Sequence, residues 1–118
     1  MKQITLDIGG ESRTFYFGLG FLGNLLEKEN ISIQEIGYKA VANPYKWNPL
    51  MMFYSLEYGY IRKGEECPFT VVNITDWIEE AGGFESDVYR SFEKAFADSL
   101  TKDVPKQEDK KKAAATKK

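Results

Sequence analysis

The sequence predicts an α+β fold in which helices dominate: an N-terminal β-hairpin, four or five short helices, and a disordered C-terminal tail. Three observations predict it. Apolar residues alternate at period two up to Phe17, interrupted only around Gly9-Gly10. From Leu19 onward they recur at steps of three and four, separated by helix-start and helix-stop residues. From Lys106 to Lys118 the chain has no Val, Ile, Leu, Met or aromatic residue, so ordering it would cost entropy that no burial offsets. Residues 1–103 therefore read as one domain and residues 104–118 as a Lys-rich tail.

Ile4, Leu6 and Ile8 share one face of a first strand, and Phe15 and Phe17 share one face of a second. Gly9-Gly10 between them tolerates the positive φ angles of a tight hairpin turn. A two-stranded ribbon is marginal alone and must lie against something. Helices supply that support. Leu22, Leu25 and Leu26 form a stripe on a helix over Leu19–Glu29. Ser32 and Glu35 have capping-box spacing and open a helix from Ile33 to about Ala42, stopped by Asn43-Pro44. Asn48-Pro49 reads as an N-cap with Pro at the first helical position, starting a helix that runs to Gly64. Thr70 caps a further helix through Val71, Ile74, Trp77 and Ile78, ended by Gly82-Gly83. Ser86 opens the last, whose stripe is Phe84, Val88, Phe92, Phe96 and Leu100.

Composition narrows the chemistry. The chain has 118 residues, 42% hydrophobic and 14% aromatic, and contains no His. That removes Ser-His-Asp and Cys-His arrangements, His-ligated zinc and the usual near-neutral general base. Cys67 has no second Cys to pair with, which fits a reducing compartment. It reads as a small hydrophobe, since neighbouring Glu65 and Glu66 would raise its pKa rather than activate it. No apolar run approaches the roughly 20 residues of a membrane span, and the N-terminus does not open a signal peptide. Net charge is -2, divided between -6 up to Pro105 and +4 from Lys106 to Lys118. The tail lacks Arg and interleaved aromatics, so self-association or solubility suits it better than nucleic-acid binding.

Two patterns bear on function. Gly18, Gly20 and Gly23 match G-x-G-x-x-G between a strand and a helix, with Glu35 near where a ribose-binding acid would stand. The preceding strand belongs to a hairpin, however, and no train of apolar strands follows. A nucleotide-binding protein using that loop is accordingly one alternative reading and the weaker one, and the glycines serve a tight strand-to-helix turn in the main one. The paired acids at Glu65-Glu66, Glu79-Glu80 and Glu85 with Asp87 read as solvated surface. The aromatic surplus is the second pattern. Trp47, Phe53, Tyr54, Tyr58, Tyr60 and Trp77 exceed what short helices hide on one face; each taken singly reads as core, but some of the set should be exposed, which points to a binding module more than to an enzyme.

The chain resembles the tail assembly chaperones of long-tailed bacteriophages, small proteins encoded just before the tape measure protein. The likeness lies in the hairpin with its Gly9-Gly10 turn and the run Phe15-Tyr-Phe-Gly-Leu-Gly-Phe-Leu-Gly-Asn-Leu-Leu-Glu27. It continues through Asn48-Pro49-Leu50, the Asp76-Trp77-Ile78-Glu79 setting and the segment Phe84 to Leu100. This resemblance implies a non-enzymatic protein that needs no cofactor or metal. It would coat the tape measure protein, keep it soluble and help recruit tail tube protein; the alternative within the same setting is another phage morphogenesis protein, such as a head–tail joining or tube-capping subunit. The expected place is the cytoplasm of the infected bacterial host, and not the mature virion. Trp47, Phe53, Tyr54, Tyr58, Trp77 and Ile78 are the expected partner-binding residues. A frameshift-extended form is also implied, with Lys110-Lys-Lys112 suited to an A-rich slippery run and the tail to a linker.

Overall fold

The computed structural model describes residues 2–103; the expected disordered tail, residues 104–118, lies outside them. Strands β1 (Gln3–Ile8) and β2 (Glu11–Tyr16) form an antiparallel hairpin, and five α-helices follow: α1 (Leu19–Glu29), α2 (Ile33–Ala42), α3 (Pro44–Lys63), α4 (Val71–Ala81) and α5 (Asp87–Asp103). A 3-10 turn, Gly83–Glu85, joins α4 to α5. The fold is α+β and helix-dominated, as the periodicities predict.

Gly9 and Gly10 have φ of +67° and +88°, the two left-handed residues that a twist-matched two-residue turn requires. The register pairs Ile8 with Glu11 and Ile4 with Phe15, and the ladder extends to Phe17, whose N–H donates to the Lys2 carbonyl at 2.9 Å. β2 lies against α3, while β1 lies against α5 and α4. Between hairpin and helices sits an aromatic core. Phe15, Phe17, Phe21, Phe92 and Phe96 are all buried, with successive ring centroids 5.6–6.1 Å apart. Burying one such ring contributes about 1.5–3 kcal/mol.

The caps predicted at Ser32, Thr70 and Ser86 are present. Ser32 N–H donates to the Glu35 carboxylate at 2.7 Å, and Thr70 N–H donates to Asn73 Oδ1 at 2.9 Å. Tyr89 N–H donates to the Ser86 hydroxyl at 3.2 Å, at the start of α5. On α5 the buried stripe is Tyr89, Phe92, Phe96 and Ser99, with Val88 and Leu100 at its margin and Phe84 placed in the preceding 3-10 turn.

The start of α3 differs from expectation. Asn48-Pro49 lies inside the helix, which begins at Pro44. Asn43 does both jobs at the corner: its N–H donates to the Lys39 carbonyl, ending α2, and its carbonyl accepts from Trp47 N–H at 3.1 Å. Pro44 takes the first helical position, where no N–H is needed. Pro49 then deprives the Tyr45 carbonyl of its helical donor, a cost of about 3 kcal/mol in an ordinary helix interior. Burial of Trp47 and of Pro49 itself works against that cost, so the helix continues through it.

Candidate interaction surface

The aromatic residues expected at an interface are mostly held inside the molecule. Trp47 is buried at the α2–α3 corner, with the Lys39 and Lys46 ammonium groups 5.5 and 5.1 Å from its ring. Tyr54 is buried, and its hydroxyl donates to Glu29 at 2.5 Å. It belongs to a polar seam between α1 and α3, where Glu57 accepts from Asn24 at 3.1 Å and pairs with Lys28 at 3.2 Å. Phe53 is half-buried, edge-on to Tyr54 at 5.4 Å. Ile78 is buried. Trp47, Tyr54 and Ile78, expected among the partner-binding residues, are thus core side chains: the 20-residue α3 is enclosed by α1, α2, α4 and the hairpin, so more than one of its faces is covered.

Trp77 and Tyr58 are half-buried, and both serve the fold. The Trp77 indole lies beneath the hairpin turn, where a Cβ at Gly9 would come within 2.6 Å of the ring. The Arg13 guanidinium lies over the same indole, 4.0 Å from its centroid, and 4.8 Å from the ring centroid of Phe69. Tyr58 explains part of the glycine motif. A Cβ at Gly20 would overlap the Tyr58 hydroxyl, so the place where a pyrophosphate would approach that glycine is filled by a phenol from α3. Gly18, at φ +110°, makes the turn from β2 into α1, and Gly23 faces open space. The sheet that precedes this turn has two antiparallel strands, not the parallel arrangement of a dinucleotide fold.

The Glu65-Glu66, Glu79-Glu80 and Glu85 carboxylates and that of Asp87 are exposed. Among the described residues no group of three His, Cys, Asp or Glu side chains gathers to hold a metal ion. Burial pushes the Cys67 thiol pKa up. Among the described residues no helix is long and apolar enough to cross a membrane.

The outward-facing apolar side chains stand elsewhere. Tyr38, Val41 and Tyr45 are 69%, 83% and 80% exposed and flank the Asn43 corner. Tyr45 stacks on Phe84 across 6.0 Å, and the two rim an open groove of about 300 Å³. Pro49, Thr75, Ile78, Glu79 and Gly83 complete its lining. Val72, 63% exposed, stands one turn before Thr75 on α4. Of the expected binding residues, only Ile78 contributes to this surface. Sequence reasoning passed over Tyr38, Val41 and Tyr45, yet a signal existed. Tyr38 and Val41 fall on the side of α2 opposite Ile36 and Ala40, so the helix is apolar on two faces.

No family model matches the chain, and no curated protein or solved structure matches it either.

Proposed function

We propose that this protein is a non-enzymatic tail assembly chaperone of a long-tailed bacteriophage. It binds the tape measure protein in the cytoplasm of the infected host, keeps it soluble and helps recruit tail tube protein, without remaining in the mature virion. The observation that carries the reading is the apolar surface at the α2–α3 corner, with Tyr38, Val41 and Tyr45 beside the groove lined by Pro49, Ile78 and Phe84. A tape measure protein exposes long apolar helical stripes until the tube surrounds it, and an open apolar groove accepts the ridge of such a helix. Each contact is small. Many copies along one strand hold by avidity while each remains displaceable by the growing tube. The resemblance in the hairpin, the Phe15–Glu27 run and the Asp76–Glu79 setting supports the same reading.

The test is capture of the tape measure protein from a lysate of the infected host on the immobilised chain, with mass spectrometry to identify it. Wild-type protein is expected to retain it, and Tyr45→Ala and Val41→Glu to lose it while still unfolding cooperatively. Failure of wild-type protein to retain tape measure protein shown to be in the lysate would sink the proposal.

A further inference from the structure

In an antiparallel ladder alternate residue pairs exchange hydrogen bonds, and the residues between them point N–H and C=O outward. Phe17 N–H donates to the Lys2 carbonyl, which fixes the alternation: Phe15, Arg13 and Glu11 bond to β1, while Ser12 and Thr14 turn their main-chain groups away from it. The sheet has two strands, and nothing among the described residues takes up those outward groups. They border a groove of about 240 Å³ between β2 and the α3 face formed by Leu56, Gly59, Tyr60 and Lys63. The Tyr16 ring lies on Gly59, so close that a Cβ there would come within 2.8 Å of it. One helical turn further on, the exposed Lys63 ammonium stands 5.2 Å from the Tyr60 ring centroid and has no carboxylate partner among the described residues. Glu11, on the opposite wall, is 3.6 Å from Arg13, which answers its charge. Unpaired main-chain groups at two alternate residues, about 7 Å apart along a strand, match another extended backbone rather than a compact solute.

We propose that an extended, acidic peptide segment of a partner protein adds to the β2 edge as a third strand, bonding to the main chain of Ser12 and Thr14 and setting a carboxylate against Lys63. Main-chain hydrogen bonds give such strand addition its affinity, and the α3 wall with its unpaired ammonium gives it a preference for acid. The inference does not rest on the functional reading above, since this groove shares no lining residue with the one at the α2–α3 corner. The chain's own tail has the wrong charge for the site, +4 from Lys106 to Lys118.

Selection of displayed random octapeptides on the full chain, with fluorescence anisotropy of the selected sequences, tests this. Enriched peptides are expected to combine β-branched residues with Asp or Glu and to shift the amide resonances of Ser12, Thr14 and Lys63. Methylating alternate backbone nitrogens of such a peptide should weaken binding about fivefold or more in one alternation and spare it in the other. Ser12→Pro removes an outward N–H without removing a ladder bond and should weaken binding likewise. Should that variant misfold, the methylated peptides on wild-type protein still decide. Lys63→Glu, with an unchanged circular dichroism spectrum, should weaken acidic peptides about threefold or more and favour basic ones on reselection. Absence of enrichment overturns the proposal, as do binders indifferent to methylation in both alternations or an acid preference that survives Lys63→Glu. A synthetic peptide of residues 104–118 that outcompetes the acidic peptides would give the edge to the chain's own tail. Self-association of the full chain that Ser12→Pro abolishes would give it to a second copy, and either result overturns the proposal.

Discussion

The Arg13 guanidinium lies 4.0 Å from the centroid of the Trp77 ring, joining β2 to α4 beneath the hairpin turn. Its Nε donates to the Ile8 carbonyl at 2.9 Å and its Nη2 to the Gly9 carbonyl at 2.8 Å, with Glu11 3.6 Å away. One side chain thus closes the turn on itself and fastens it to a helix. Hydrogen bonds from a charged group contribute about 1.5–3 kcal/mol, and a shielded cation–π contact about 2 kcal/mol. Arg13→Ala is expected to cost about 2–4 kcal/mol in urea unfolding, allowing for overlap between these contributions. Arg13→Lys should recover only part, since an ammonium lacks the planar fork. Equal stability of the Lys variant and wild type would show that the fork is not used.

Glycines of one motif should respond in opposite directions. Gly23 is helical, with open space where a Cβ would project, so Gly23→Ala should stabilise by about 0.5–1 kcal/mol. Gly20→Ala must displace the Tyr58 phenol and should destabilise. Thermal unfolding of the pair checks this. Matching shifts of one sign would contradict the packing of Tyr58 on α1.

The hairpin turn offers a similar contrast. Gly9 and Gly10 both have positive φ, so an Ala at either carries a backbone cost of about 1–2 kcal/mol. Only Gly9 has the Trp77 ring within reach of a new Cβ; at Gly10 nothing lies within 4 Å. Gly9→Ala should therefore cost clearly more than Gly10→Ala and alter the tryptophan emission. Equal costs with unchanged emission would remove Trp77 from beneath the turn.

Two tyrosines should resist alkaline titration. Burial raises the Tyr54 pKa, and its hydrogen bond to Glu29 raises it further; burial likewise raises Tyr89, with Glu93 adding to it. For a group whose folded pKa is raised, the stability contribution is full below the unfolded value of about 10 and falls as pH rises beyond it. Of the seven tyrosines, these two should ionise only as the protein unfolds, so part of the phenolate absorbance should coincide with loss of helix. Phenolate absorbance complete before any helix is lost would contradict both environments.

At the acid end, the Glu35 carboxyl is held below its usual range by the Ser32 backbone N–H, with a smaller contribution from the Ser32 hydroxyl. A depressed folded pKa gives stability that is present above the unfolded value and lost as pH falls through the folded one. The difference between wild type and Glu35→Gln should be largest near neutrality and shrink below the usual carboxylate range. Urea midpoints at several pH values measure it, and a constant difference would exclude a charge-dependent cap.

Much of the fold was legible because its signals are local. Ser32 with Glu35, Thr70 with Asn73 and Ser86 with Tyr89 each act across three residues, a reach that sequence spacing determines. Asn48-Pro49 carries the same local signature but lies inside α3, because burial of Trp47 involves residues distant in the chain. The interaction surface was legible only in part. Helical phase alone sets Tyr38 and Val41 opposite Ile36. Yet the same reasoning offers Trp47, Tyr54 and Trp77 for partner binding, and nothing near Tyr54 or Trp77 in sequence announces Glu29 or Gly9 as their partners.

By itself the sequence determined the order and kind of the elements, the hairpin turn at Gly9-Gly10 and the absence of histidine chemistry. Those depend on period, caps and composition, which are properties of neighbouring residues. Tertiary structure decided which aromatic side chains face inward, what fills the space above Gly20, and where apolar surface remains open. Burial is settled when whole helices meet, and no short stretch of chain holds that information.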